Sequence, residues 1–119
     1  MNDLIKLKLV TEDEAECLHR LQVEAFMPLY EKYQDDDTSP AKESLKRVTE
    51  KIIDTNSDYY FIVFHGEKVG GVRVSRHKGE KVYKDVNWIS PIFIIPEFQN
   101  KVIASTVIEQ LFDIYPDTI

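Results

Sequence analysis

At 119 residues, 43% of them hydrophobic and 30% charged, the chain carries the material for one globular domain spanning 1–119 and no second one. A formal charge of −6 argues against nucleic acid as the main partner, and no apolar run approaches the ~20 residues that span a bilayer. The single cysteine, Cys17, excludes an internal disulfide framework and fits a reducing compartment, so a cytoplasmic location is expected.

The chain opens on Leu4–Val10, which alternates apolar residues with lysine and predicts a half-buried peripheral strand rather than a signal peptide. Thr11 and Glu14 have the spacing of a capping box, followed by a helix with Ala15, Leu18, Leu21, Ala25 and Phe26 on one face. Pro28 is expected to interrupt or kink that helix, because it removes an internal hydrogen bond. The aromatic segment Leu29–Tyr33 and a polar loop with Asp35, Asp36 and Asp37 come next. Ser39 and Pro40 read as N-cap and first position of a second helix that buries Leu45, Val48, Ile52 and Ile53.

Tyr59–Phe64 is aromatic and β-branched, a strand signature, and His65–Lys68 reads as a tight turn in which Gly66 supplies the positive φ. The return strand, Val69–Ser75, contains Gly70 and Gly71, which mark a bulge or a close backbone approach. Arg73, Arg76, Lys78, Lys81 and Lys84 make the next stretch basic: either a solvated hairpin or a rim beside an anionic ligand. A central strand is expected from Lys81 or Val82, with Trp88–Ile95 almost continuously apolar, as in a strand covered on both faces. Pro96 stops it, and the loop Glu97–Lys101 feeds a helix carrying Val102, Ile103, Val107, Ile108, Leu111 and Phe112 at helical spacing.

The order is β-α-α-β-β-β-α, an α/β chain whose consecutive strands form an antiparallel sheet flanked by helices. Its strand–loop–helix junction is suited to presenting free backbone N–H groups to a phosphate. His19, His65 and His77 are scattered and pair with neither Cys17 nor a carboxylate at ligand spacing, so no metal is expected. No Ser-His-Asp set and no phosphate loop ending in Gly-Lys-Ser/Thr is present. Cys17 reads as a packing residue. Phe26, Tyr30 and Tyr33 either wall an acceptor pocket or pack locally around Pro28, and Glu24 is either solvated or a general base.

This element order, with PIFIIPEFQNKVIASTVIEQLF, resembles the GNAT superfamily of acyl-CoA-dependent N-acyltransferases. That family's signature is an apolar strand ending in proline, then Gln/Arg-x-x-Gly-x-Gly/Ala opening a helix; Gln99 matches its first position and Ala104 its last. The resemblance implies acetyl-CoA as cosubstrate and direct attack by a primary amine, small-molecule or peptidic. It implies a pyrophosphate on the backbone of Gln99, Asn100, Lys101, Val102, Ile103, Ala104 and Ser105. It also implies a pantetheine arm along Phe93, Ile94 and Ile95, with Phe93 and Ile95 supplying sheet-like hydrogen bonds. The segment Ala25–Tyr33 would form a helix–loop–helix over the acceptor, and Asp35–Asp37 a funnel for a cationic amine.

Two positions depart from the pattern. Val102 stands where the family has glycine, so a β-branched residue would have to take a positive φ and acetyl-CoA binding should be weakened. The family's C-terminal strands have no counterpart after Pro116, so a second copy is expected over the open sheet edge, and the alternative function is a catalytically impaired CoA-binding or dimerising interaction module.

Overall fold

The computed structural model describes residues 4–33, 40–77, 86–99 and 102–115. The strands are β1 (Ile5–Leu9), β2 (Ser57–Phe64), β3 (Glu67–His77) and β4 (Val86–Ile94); the helices are α1 (Ala15–Tyr33), α2 (Leu45–Ile53) and α3 (Ile103–Ile114). The four strands make one sheet in the order β1-β2-β3-β4, every neighbouring pair antiparallel. This is the mixed α/β architecture with a mainly antiparallel sheet that the sequence predicts.

Period-2 alternation assigns the strand residues to two faces. On one face, Tyr59, Phe61 and Phe93 pack beneath α1, and a Cβ on Gly71 would strike the Phe93 ring and the Leu18 side chain. Glycine at 71 is what lets α1 lie this close to the sheet. On the other face Ile62, Val72 and Ile94 meet α3, whose Ile103, Val107 and Leu111 are buried. Gly70 has a different reason: a Cβ there would run into the Phe93 carbonyl oxygen on β4.

Local chemistry explains the junctions. Glu14 Oε1 accepts from the Thr11 N–H at 3.1 Å, so the first turn closes as expected, although it is 3-10 over Glu12–Glu14 before α1 begins. The β2–β3 turn has positive φ at both central residues, His65 (52°) and Gly66 (81°), the geometry of a two-residue hairpin. A polar chain joins three elements inside the core. Tyr59 Oη donates to Gln22 Oε1 at 3.4 Å, Gln22 Nε2 to Glu43 Oε1 at 2.8 Å, and Lys51 Nζ to Glu43 Oε2 at 2.7 Å. Burial works against the Glu43 charge, yet the bonds from Gln22 and Lys51 hold its carboxyl below the ordinary range.

Four expectations are corrected. Pro28 lies inside α1, which runs unbroken to Tyr33, so Ala25–Tyr33 is the second half of one helix and not a helix–loop–helix. A proline removes one backbone bond, and the packing of this helix half against β4 outweighs that loss. The N-cap of α2 is Ser44, whose Oγ accepts from the Arg47 N–H at 3.1 Å; Ser39 lies outside the described residues. Leu45 and Ile53 are exposed, at 37% and 53%: Ile53 falls off the stripe carrying Val48 and Ile52, and Leu45, although on that stripe, is the first residue of the helix.

The fourth concerns β4. Among the described residues it is the last strand of the sheet, pairing only with β3, and Pro91 sits within it. Val72 opposes Ile92 and Val74 opposes Ile89, so β4 carries one extra residue at Ser90–Pro91. A bulge on an edge strand is where proline, lacking a ladder donor, is tolerated. The expected strand start at Lys81 or Val82 lies outside the described residues, as does everything after Tyr115.

Candidate functional site

The end of β4 is buried through Phe93, Ile94 and Ile95, and Pro96–Phe98 then make one 3-10 turn with Ile95 as N-cap. Backbone direction here is fixed by what β3 takes. Ile95 N donates to Val69 O at 2.9 Å, and the Phe93 carbonyl lies against Gly70. Residues 93 and 95 thus turn their backbone groups to β3, and by alternation Ile92 and Ile94 turn theirs to the other edge. The Ile94 carbonyl shows this directly: it accepts from Gln99 Nε2 at 2.7 Å. The parity expected from the sequence is off by one residue, since the Ile95 N–H is already engaged with β3.

At the start of α3, Val102 holds φ 50° and ψ 19°, the left-handed region, and caps the helix with no side-chain bond. Its carbonyl accepts the first helical bond from Thr106 N at 3.2 Å and further bonds from Ser105 Oγ (3.1 Å) and Thr106 Oγ1 (3.0 Å). The N–H groups of Ile103, Ala104 and Ser105 precede that first bond, so they carry the positive end of the helix dipole. A β-branched residue at positive φ costs on the order of 1–3 kcal/mol.

Between these two features and α1 lies a cavity of about 290 Å³. It is lined by Ala25, Phe26 and Leu29 from α1, Ile92, Phe93 and Ile94 from β4, then Phe98, Gln99, Val102, Ile103 and Ala104. Its size falls at the lower end of small-ligand pockets, and its mix of apolar walls with a few convergent polar groups is typical of them. Phe26 packs tilted on Phe93 with ring centroids 5.8 Å apart, which fixes one wall. Among the described residues that line it, none has a titratable side chain.

Of the residues singled out in the sequence, the structure gathers Phe26, Phe93, Ile94, Gln99, Val102, Ile103 and Ala104 around the cavity. Ser105 follows on the same helical turn and is exposed. Glu24 is exposed and outside the lining, although its neighbour Ala25 belongs to it. Tyr30 is half-buried elsewhere, with Lys42 Nζ 4.4 Å from its ring centroid. Tyr33 ends α1, and its side chain is outside the described set, as are Asn100, Lys101 and Asp35–Asp37. Arg73 is not part of a ligand rim, because its Nη2 pairs with Asp54 Oδ2 at 3.2 Å. Cys17 is half-buried against the core and away from the cavity.

Leu29, Ile92 and Phe98 were not among the sequence candidates. Leu29 follows Ala25 by four positions and Phe26 by three, a helical spacing hidden by reading Pro28 as a break. Ile92 stands two residues before Ile94, on the same face of β4.

The fold has many counterparts among solved structures. An acetyltransferase from Thermus thermophilus superposes with a TM-score of 0.73 at 17% identity, covering 96% of this chain and 71% of that one. The PaiA N-acetyltransferase from Thermoplasma acidophilum, in complex with coenzyme A, gives 0.73 at 12% identity, with 94% and 72% covered. The enzyme AAC(6')-Ib, in complex with ribostamycin and coenzyme A, gives 0.70 at 15% identity, with 98% and 70% covered. No curated protein sequence matches the chain. Among the described residues no helix is long and apolar enough to cross a membrane. Residues 17–118 match the model of the acetyltransferase (GNAT) family, and the chain belongs to that family.

Proposed function

We propose that this chain transfers an acetyl group from acetyl-CoA to a primary amine by direct attack. The observation that carries the reading is the cavity itself, which joins the edge of β4 left unpaired among the described residues to the first turn of α3, which has no side-chain cap. The donor set fits the cosubstrate. Three consecutive helix-start amides suit a pyrophosphate, an edge strand suits an arm containing amides, and apolar walls suit the thioester end. Two structural neighbours were solved with coenzyme A, which adds support of family kind.

In this reading the amides of Ile103, Ala104 and Ser105 hold the pyrophosphate, and Ile92 and Ile94 hold the arm. The bound cosubstrate supplies an activated acyl group. Phe26, Leu29 and Phe93 exclude water from the acyl carbon and border the space through which the amine arrives. No described lining residue has a titratable side chain, so in this reading the amine reaches the acyl carbon neutral or loses its proton to water at the cavity mouth. Glu24, exposed and outside the lining, is poorly placed to take it.

The test is thiol release from acetyl-CoA over an amine panel that includes an aminoglycoside and a peptide α-amine. Turnover with at least one amine supports the reading, and its absence with every amine overturns it. Val102 favours a second reading, a coenzyme A-binding module with impaired turnover, because a β-branched N-cap crowds the amide cradle. Calorimetric binding of coenzyme A without thiol release selects that module.

A further inference from the structure

The polar contact inside the cavity wall is unusual in being made by the site to itself. Gln99 Nε2 donates to Ile94 O at 2.7 Å, and both residues line the cavity. Ile94 is buried, and its carbonyl is an edge acceptor of β4, the group that an extended ligand's amide N–H would bond when adding along this strand. A glutamine carboxamide is chemically a stand-in for that ligand amide. We propose that Gln99 is a self-capping latch: it satisfies the Ile94 carbonyl when the cavity is free and swings out when an amide-bearing arm adds to β4. The inference rests on the coenzyme A reading above, because the pantetheine arm is the amide-bearing ligand it requires.

Three features keep the cost of the exchange low. Without Gln99 or a ligand, the buried Ile94 carbonyl has no hydrogen-bond donor among the described residues, and an unmade bond of this kind is costly. Gln99 itself is exposed, so its carboxamide passes to water without desolvation when displaced. Its stem springs from the residue just after the 3-10 turn Pro96–Phe98, and Gln99 N is tied to Pro96 O at 3.3 Å. The side chain can therefore rotate while the backbone stays anchored. Gln99 is thus a specificity residue: it admits ligands able to replace its amide and disfavours those that only fill the apolar volume.

Because the latch competes with the arm, removing its donor should tighten binding of the complete cosubstrate and leave its nucleotide end unaffected. Gln99→Met keeps length and loses the donor; Gln99→Ala is the second variant, and circular dichroism confirms that both fold. Calorimetry is expected to show coenzyme A bound about 3- to 10-fold more tightly by both variants, the range of one net hydrogen bond. Adenosine 3′,5′-bisphosphate, which lacks the arm, should bind all three proteins equally. In the unsubstituted protein, the Gln99 side-chain amide signals should move toward solvent-exposed positions on adding coenzyme A. Equal or weaker coenzyme A binding by the variants, or Gln99 signals that stay in place, overturns the latch while leaving the cosubstrate reading intact. Failure of every protein to bind coenzyme A overturns both.

Discussion

Replacing Val102 by glycine separates two effects that this position combines. Its φ of 50° places a β-branched residue in the left-handed region, at a cost of about 1–3 kcal/mol. Glycine removes that cost but adds unfolded-state entropy worth about 0.4–1 kcal/mol, so the net is stabilising by on the order of 1 kcal/mol. For a domain of this size that corresponds to a melting temperature about 3–5 °C higher. The second effect is steric: the side chain is 76% exposed and lines the cavity beside the Ile103 and Ala104 amides. Removing it lets a phosphate approach the backbone, and a gain of ~1.4 kcal/mol is tenfold in affinity. Urea denaturation reads the first effect and calorimetry with acetyl-CoA the second. Val102→Ala serves as control, since it keeps a Cβ at positive φ and loses only the branch, so it should recover part of the affinity and little of the stability. A Val102→Gly protein that is less stable, or that binds acetyl-CoA no better, refutes the reasoning.

Further outcomes follow from the packing and the ion pairs. Gly70→Ala drives a Cβ into the Phe93 carbonyl oxygen between two paired strands, and should cost about 2 kcal/mol or more in chemical denaturation. Lys8 at 2.9 Å, the Thr11 N–H and Lys68 at 3.3 Å hold the Glu14 carboxyl down at about 2. A depressed carboxyl stabilises the fold above its ordinary pKa and loses that contribution as pH falls through the folded value. The native protein should therefore lose about 1 kcal/mol more than Glu14→Gln between roughly pH 4.5 and 2, after allowance for solvent screening. Tyr115 Oη donates to Asp58 Oδ2 at 2.6 Å and lies 2.6 Å from Tyr60 Oη, so Tyr115→Phe should cost about 1–3 kcal/mol in urea denaturation. Burial, reinforced by the Asp58 bond, pushes the Tyr115 phenol above the ordinary tyrosine range. Ultraviolet titration through about pH 10.5 should accordingly give the same phenolate signal with and without Tyr115.

What could be read in the sequence is what is settled locally. The Thr11–Glu14 turn, the Tyr59–Phe64 strand with its two-residue turn, and the Ile103–Val107–Leu111 stripe depend on neighbours a few residues apart. Position 102 was legible in the same way: a helix start that asks for positive φ shows its demand through the residue type that fails to meet it. Pro28 was misread because its local penalty is one hydrogen bond, whereas the helix half around it gains contacts with β4 that lie far away in sequence. The N-cap of α2 lies at Ser44, five residues after the expected Ser39, because Pro40–Lys42 form a separate 3-10 turn before the helix begins. Backbone parity at the end of β4 could not be read at all. It depends on the extra residue at Ser90–Pro91 and on Gly70 meeting Phe93, and both are facts of pairing with β3.

That parity carries a consequence for how the site would be used. With Ile92 and Ile94 facing the edge that has no partner strand among the described residues, the polar groups along the cavity form a polarised track rather than a ring. The helix-start amides at Ile103–Ser105 are donors concentrated at one end. The β4 edge offers backbone donors and acceptors along its length, and the apolar pair Phe26–Phe93 closes the other side. An elongated ligand with an anionic end and an uncharged end can satisfy this track in only one direction. Its charge must lie at α3, and its uncharged end must lie near Ile92 and Phe26. Reversing it would put an anion against aromatic walls with no donor, where an unpaired charge is heavily penalised. On the proposed reading this places the acyl carbon next to α1, so the amine must enter past Phe26 and Leu29. The residues that choose the acceptor would then lie on the second half of α1, the part that a break at Pro28 would have cut from the helix.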